Sequence, residues 1–184
     1  MRPLPPARRR GTLATRLPPS LERALGLVRV DFAPARSQPS AARVTAASLL
    51  SVAGSLAADA VLVVIGTALF PSTRGYAHFQ FPDYAKLTVI GVVIACLAWP
   101  VVTRITSQPR WLFFRMAIAV TLVLWLPDLY ILAGGQPTRA VAVLIVMHLA
   151  IAVVTYNCLV HVAPVETARA PSACPPRIEV NPEI

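Results

Sequence analysis

Four apolar stretches, each about one bilayer long, limit what this chain can fold into. They cover residues 45–70, 86–105, 111–133 and 139–162. A helix needs roughly 20 mostly apolar residues to cross the hydrocarbon core of a membrane. Inside that core every backbone N–H and C=O must be satisfied by the chain itself, and a helix does this within one segment. The predicted fold class is therefore all-α, a four-helix transmembrane bundle. Composition agrees: 56% of residues are hydrophobic and 14% charged, where a soluble domain carries about 25% charged residues. With 184 residues there is room for one such bundle, over residues 44–163, and for no second domain.

The two ends read differently. Residues 1–43 are rich in Arg and Pro and are expected to be mostly disordered, because Pro3, Pro5, Pro6, Pro18, Pro19, Pro34 and Pro39 interrupt any long helix. A short amphipathic helix is one exception to consider. Ser20 is a candidate cap, and Leu21, Leu25, Val28 and Phe32 share a face at i, i+4, i+7, i+11 spacing. Such a basic helix suits the inner leaflet. Residues 164–184, with Pro164, Pro171, Pro175, Pro176 and Pro182, read as a second disordered tail. No apolar h-region precedes the first span, so that span is expected to act as its own insertion signal.

Charge sets the expected orientation. The net charge is +9, and nine of the 17 basic residues precede the first span. With both termini inside, the inner side near the membrane holds Arg29, Arg36, Arg43, Arg104, Arg110, Arg115, Arg169 and Arg177. The outer side holds Arg74, Lys86 and Arg139. That asymmetry predicts cytoplasmic N- and C-termini in the cytoplasmic membrane. Basic segments beside a span meet anionic lipid, so the expected partners are the lipid bilayer and a second copy or membrane protein, not nucleic acid.

Residues 71–85 form an expected outer loop with Tyr76, Phe79, Phe81 and Tyr84, rings suited to the membrane–water interface. His78 in this loop reads as a surface histidine. Residues 106–110 and 133–138 are short turns punctuated by Gly and Pro. They make spans two, three and four antiparallel neighbours.

Three ionisable residues inside the spans, Asp59, Asp128 and His148, are the candidate buried polar cluster. Charges in such positions are costly and are functional candidates by default. The first span offers ten Leu, Ile or Val residues, roughly −3 to −6 kcal/mol on an insertion scale against about +3 for a central Asp. A row of Ala47, Ser51 and Ser55 leads to Asp59 at i+4 steps. Small residues let helices approach closely, so this row should face the bundle. Asp59 either bonds a neighbouring helix or forms a charged pair. Asp128 follows Pro127, which is expected to bend the third span. Counted from the outer ends at about 1.5 Å per residue, Asp59, Asp128 and His148 lie roughly 16, 8 and 14 Å deep. The similar depth of Asp59 and His148 makes a hydrogen-bonded pair between them an expectation.

The chemistry that can be excluded is broad. His148 and His161 are 13 residues apart on one helix, roughly 20 Å along its axis, so they cannot share a metal or a haem. The cysteines Cys96, Cys158 and Cys174 show no ligand spacing. Neither a phosphate-binding glycine loop nor a nucleophile elbow is present. The sequence therefore offers no catalytic residues, no cofactor site and no metal site.

Three segments carry a family resemblance: Pro109-Arg110-Trp111-Leu112-Phe113-Phe114-Arg115, then Leu126-Pro127-Asp128, then Thr138 through Leu149. With the four-span layout they resemble an uncharacterised family of small actinobacterial integral membrane proteins, a domain of unknown function. The resemblance implies fold and membrane location and brings no catalytic residues. The expected function is non-enzymatic, whether structural, regulatory or partner-binding. The alternative is a small proton-linked carrier or permeation protein using Asp59, Asp128 and His148, and a lipid-modifying enzyme is a third reading.

Overall fold

The computed structural model describes Gly26 and residues 33–165. Four helices follow one another: α1 (Ala41–Leu69), α2 (Phe81–Ile105), α3 (Pro109–Ala133) and α4 (Thr138–Val162). Two single 3₁₀ turns, Pro71–Thr73 and Ala77–Phe79, link α1 to α2, and no strand occurs among the described residues. Each helix is long and apolar enough to cross a membrane. The amphipathic helix expected around residues 20–33 and the tail after residue 165 lie outside the described residues, apart from Gly26 and Ala33.

The start of α2 differs from the sequence expectation. The helix begins at Phe81, five residues before the expected span, because Pro82 and Asp83 occupy its first turn. Proline has no N–H to lose there, and an acidic side chain suits the positive end of the helix dipole. The segment before α1 is also ordered. Ser40 caps α1 by accepting the Arg43 N–H at 3.4 Å. Upstream, the Ala35 N–H and Gln38 Nε2 both donate to the Thr103 carbonyl at 2.9 Å, while the Thr103 hydroxyl donates to Gln38 Oε1 at 2.8 Å. That carbonyl is among the last four of α2 and has no partner within the helix, so residues 33–40 complete the end of α2.

The bundle is built on α1 against α4, its most extensive helix pair. α2 packs on α1 and α3 on α4, and α2 also touches both α4 and α3. As predicted, Ala47, Ser51, Ser55 and Asp59 are all 0% exposed. Ser51 satisfies itself by donating to the Ala47 carbonyl at 2.8 Å, and Ser55 lies 3.4 Å from Thr155 Oγ1 on α4. Gly66 sets the closest approach: a Cβ there would lie 2.8 Å from Val143 Cγ2. At Gly54 a Cβ would lie 3.0 Å from Val154 Cγ1. Lipid gives helices no hydrophobic reason to associate, so such close packing supplies the attraction.

The end of the bundle that carries the 106–108 turn, here the near end, is closed by aromatic packing. Trp99 meets Phe113 edge-on at 5.1 Å, and Phe113 stacks on Tyr156 at 6.0 Å. Trp99 Nε1 donates to the Ala163 carbonyl at 3.1 Å, tying the exit of α4 to α2. At the opposite, far end, Phe79, Tyr84, Ala140, Val143 and Met147 form a smaller core beneath the 71–80 connection.

A lateral groove ending on a buried carboxyl

α2 and α3 touch only sparingly. A short turn joins them at the near end and Trp99 meets Phe113 there, but away from it they diverge. The result is a groove of ≈ 650 Å³ between them, floored by α4. Small-molecule sites span roughly 300–1,000 Å³. Leu144, Met147 and Ile151 supply the floor, and Ile90, Ile94 and Val120 stand along its sides. Those three side residues are themselves more than half exposed. In a membrane the groove therefore opens sideways into the acyl chains.

Asp128 and His148 sit in this groove. α3 runs on through Pro127 to Ala133 and brings Asp128 against α4, where the residue is 5% exposed. His148 Nδ1 lies 3.0 Å from Asp128 Oδ2 and also 3.0 Å from the Leu144 carbonyl. The first is an ion-pair contact, and Oδ2 is buried with no other protein group bonded to it. The Leu144 carbonyl can only accept, so its contact is a hydrogen bond in the tautomer that carries its proton on Nδ1. Trp125, one turn before Asp128, donates Nε1–H to the Ile145 carbonyl at 3.2 Å and holds α3 on α4 at this level.

Asp59 takes a different partner. Thr88 on α2 donates its hydroxyl to Asp59 Oδ2 at 2.6 Å, and Asp59 Oδ1 is buried without a hydrogen bond. The Asp59–His148 pair suggested by depth is not formed: His148 lies on Asp128 and Asp59 on Thr88. Depth fixes a residue's height and not its direction around the helix axis. α4 meets α1 through Val143, Val154 and Thr155, whereas His148 turns toward α3 and the groove.

Thr88 escaped the sequence reading. With span two taken to begin at Lys86, residue 88 fell at the membrane boundary. A start at Phe81 puts it two turns inside, and the signal for that start was Pro82-Asp83. Thr121, also on the groove, bonds the Ala117 carbonyl of its own helix at 2.8 Å.

Above the groove, His78 and Asp83 pair at 3.3 Å and Lys86 and Asp83 at 3.5 Å, all largely exposed. Such surface pairs contribute little to stability. His78 is the surface residue expected of it. Tyr76 packs edge-on against Phe79 at 5.2 Å, and its hydroxyl is buried without a partner. Burial, and then the negative charge of Asp128, raise its pKa above the ordinary tyrosine value.

Four spanning helices around a lateral groove define a small multi-pass membrane protein. Residues 35–164 match the model of a family of unknown function (DUF6069), and the chain belongs to that family. The match begins at Ala35, the residue whose N–H docks on α2. No curated protein and no solved structure matches the chain.

Proposed function

We propose that this is a non-enzymatic, multi-pass protein of the cytoplasmic membrane that binds a guest from the bilayer in the groove between α2 and α3. One observation carries the reading: the groove opens sideways among lipid-facing residues and contains a buried carboxyl set against the His148 ring. An apolar trough with a few placed polar groups is the usual form of a small-molecule site. Both termini lie on the cytoplasmic side. Arg104 in the last turn of α2 and Arg110 and Arg115 on the first turns of α3 support reading the near end as the inner one.

A photoreactive residue at Val120, beside the groove, should capture one species of defined mass in native membranes. The same residue at Val64, on the lipid-facing side of α1, should capture only the general lipid mixture. Identical products from both positions would refute guest binding.

A second reading, a small proton-linked carrier, draws on the unpartnered carboxyl oxygens of Asp59 and Asp128. It requires pH-dependent flux in vesicles that disappears on Asp59→Asn. Guest binding requires no such flux.

A further inference from the structure

The groove changes character along its length. At its far mouth it is lined by His78 and Asp83, whose side chains are 48% and 44% exposed. Tyr84, Thr88 and Asp128 follow, and then His148, roughly 14 Å below the far surface. Among the described residues, every buried side-chain oxygen or nitrogen without a hydrogen bond lies in this half of the bundle: Asp59 Oδ1, Tyr76 Oη and Asp128 Oδ2. Tyr76 meets the His78 ring edge-on at 5.3 Å and feels the charge of Asp128. Toward the near end the hydroxyls are taken up. Thr121 donates to the Ala117 carbonyl, and Thr155 lies 3.4 Å from Ser55 Oγ. Beyond them the rings of Trp99, Phe113 and Tyr156 close the groove, with Trp99 0% and Phe113 4% exposed. We propose that the far part of the groove is an aqueous vestibule, open to the far surface and sealed toward the near one, in which the Asp128–His148 pair takes up a proton. This goes beyond guest binding, which uses the apolar remainder of the groove.

Water is the ligand that such a mixed lining selects. A hydroxyl and a carboxylate left unpaired in an apolar setting are costly, and a buried water is held by about two to four polar partners. A water there accepts from the Tyr76 hydroxyl and donates to Asp128 Oδ2. In the tautomer with its proton on Nδ1, His148 keeps a lone pair on Nε2, and its side chain is 26% exposed on the groove. A hydronium ion in the vestibule gives its proton to Nε2 and leaves as water, and the ring becomes an imidazolium. With Asp128 ionised 3.0 Å away, the pair passes from one net negative charge to none. An uncompensated charge inside a membrane is costly, and the neutral pair avoids it. The other titratable groups around the pair are Asp59 from α1, Tyr76 and His78 from the connection, and Asp83, Tyr84 and Lys86 from α2. Lys86 is tied to Asp83 at 3.5 Å, and Arg139 on α4 stands over the Phe70 ring at 5.3 Å. Reached from one side only, the site binds a proton from the far medium without passing it on.

The test compares two neighbouring positions at one depth: His148 on the groove, and Leu149, which is 50% exposed but outside the groove lining. In the full chain, with Cys96, Cys158 and Cys174 replaced by alanine, each position is changed to cysteine in turn. Sealed vesicles of known orientation are then treated with a small charged methanethiosulfonate that does not cross the bilayer. Only the thiolate reacts, and a thiol pKa one unit higher in an apolar setting leaves ~10-fold less of it. His148→Cys should react from the far side, at least ~10-fold faster than Leu149→Cys, and should not react from the near side. Equal rates at the two positions, or reaction of His148→Cys from the near side, would overturn the vestibule. Proton uptake is read on the native chain, which does not depend on a cysteine variant folding. The chain, carrying isotope-labelled histidine, is placed in lipid nanodiscs for NMR, and the His148 signals are assigned by their loss in His148→Gln. On acidification they should move from neutral imidazole to imidazolium, and in Asp128→Asn they should do so only at lower pH. Signals that stay neutral while exposed His78 titrates, or that move identically in Asp128→Asn, would overturn proton uptake by the pair.

Discussion

Gly66→Ala should loosen the bundle at its tightest seam. The added Cβ would lie 2.8 Å from Val143 Cγ2 and 3.1 Å from Cγ1, well inside the ~3.5–4.0 Å optimum for carbon atoms. Val143 cannot swing away easily, because a β-branched side chain on a helix has one strongly preferred χ1 rotamer. Relief must come from moving α1 off α4, and overpacking of this kind costs about 1–3 kcal/mol. Alanine returns up to ~1 kcal/mol through its higher helix propensity, which leaves a net loss of up to ~2 kcal/mol. For a chain of this size that is a fall of up to about 8 °C in the unfolding temperature, measured by tryptophan fluorescence in detergent. Val143→Ala alone should also destabilise, since it opens space at an 8% exposed position. The double variant should lose less than the sum by at least ~1 kcal/mol, because the new methyl occupies space the valine vacated. Gly91→Ala is the internal control. Nothing lies within 4 Å of its Cβ position, so the same substitution should be neutral or stabilising there. Strictly additive losses at residues 66 and 143, or equal losses at Gly66 and Gly91, would refute the close-packing argument.

Other expectations follow from the same geometry. Thr88→Val should leave both Asp59 oxygens without a donor and cost ~1–3 kcal/mol, with Thr88→Ser retaining most of the stability. In double-mutant cycles read by unfolding, Asp128→Leu with His148→Leu should be non-additive, whereas Asp59→Leu with His148→Leu should be close to additive. Reporter fusions after Pro164 should report the cytoplasm and those near Ser72 or Gln136 the outside. A C-terminal fusion reporting the outside would contradict the orientation.

The helices were legible in the sequence because each is a predominantly apolar run about one bilayer long, and a bilayer leaves little else for such a run to become. The buried row from Ala47 to Asp59 was legible for a similar reason: small residues at i+4 steps lie on one face whatever the rest of the bundle does. Partner choice was not legible. Asp59, Asp128 and His148 were identifiable as buried polar groups, but their pairing depends on how each helix is rotated about its axis. Apolar nearly all round, α3 gives little sign of that rotation. The groove was invisible for a related reason. It arises from the divergence of α2 and α3, and both faces bordering it are as apolar as those facing lipid. The docked segment 33–40 was hidden by its composition, since Pro34 and Pro39 read as disorder while Ala35 and Gln38 supply the bonds that close α2.

The central claim is that the space between α2 and α3 is occupied in the membrane. It is tested most directly by native mass spectrometry of the full chain extracted from its own membranes. The account predicts one bound adduct of defined mass, retained in Val64→Trp and lost in Ala117→Trp, where the indole fills the groove. A native chain carrying no adduct, or an adduct that survives Ala117→Trp in a folded protein, would contradict it.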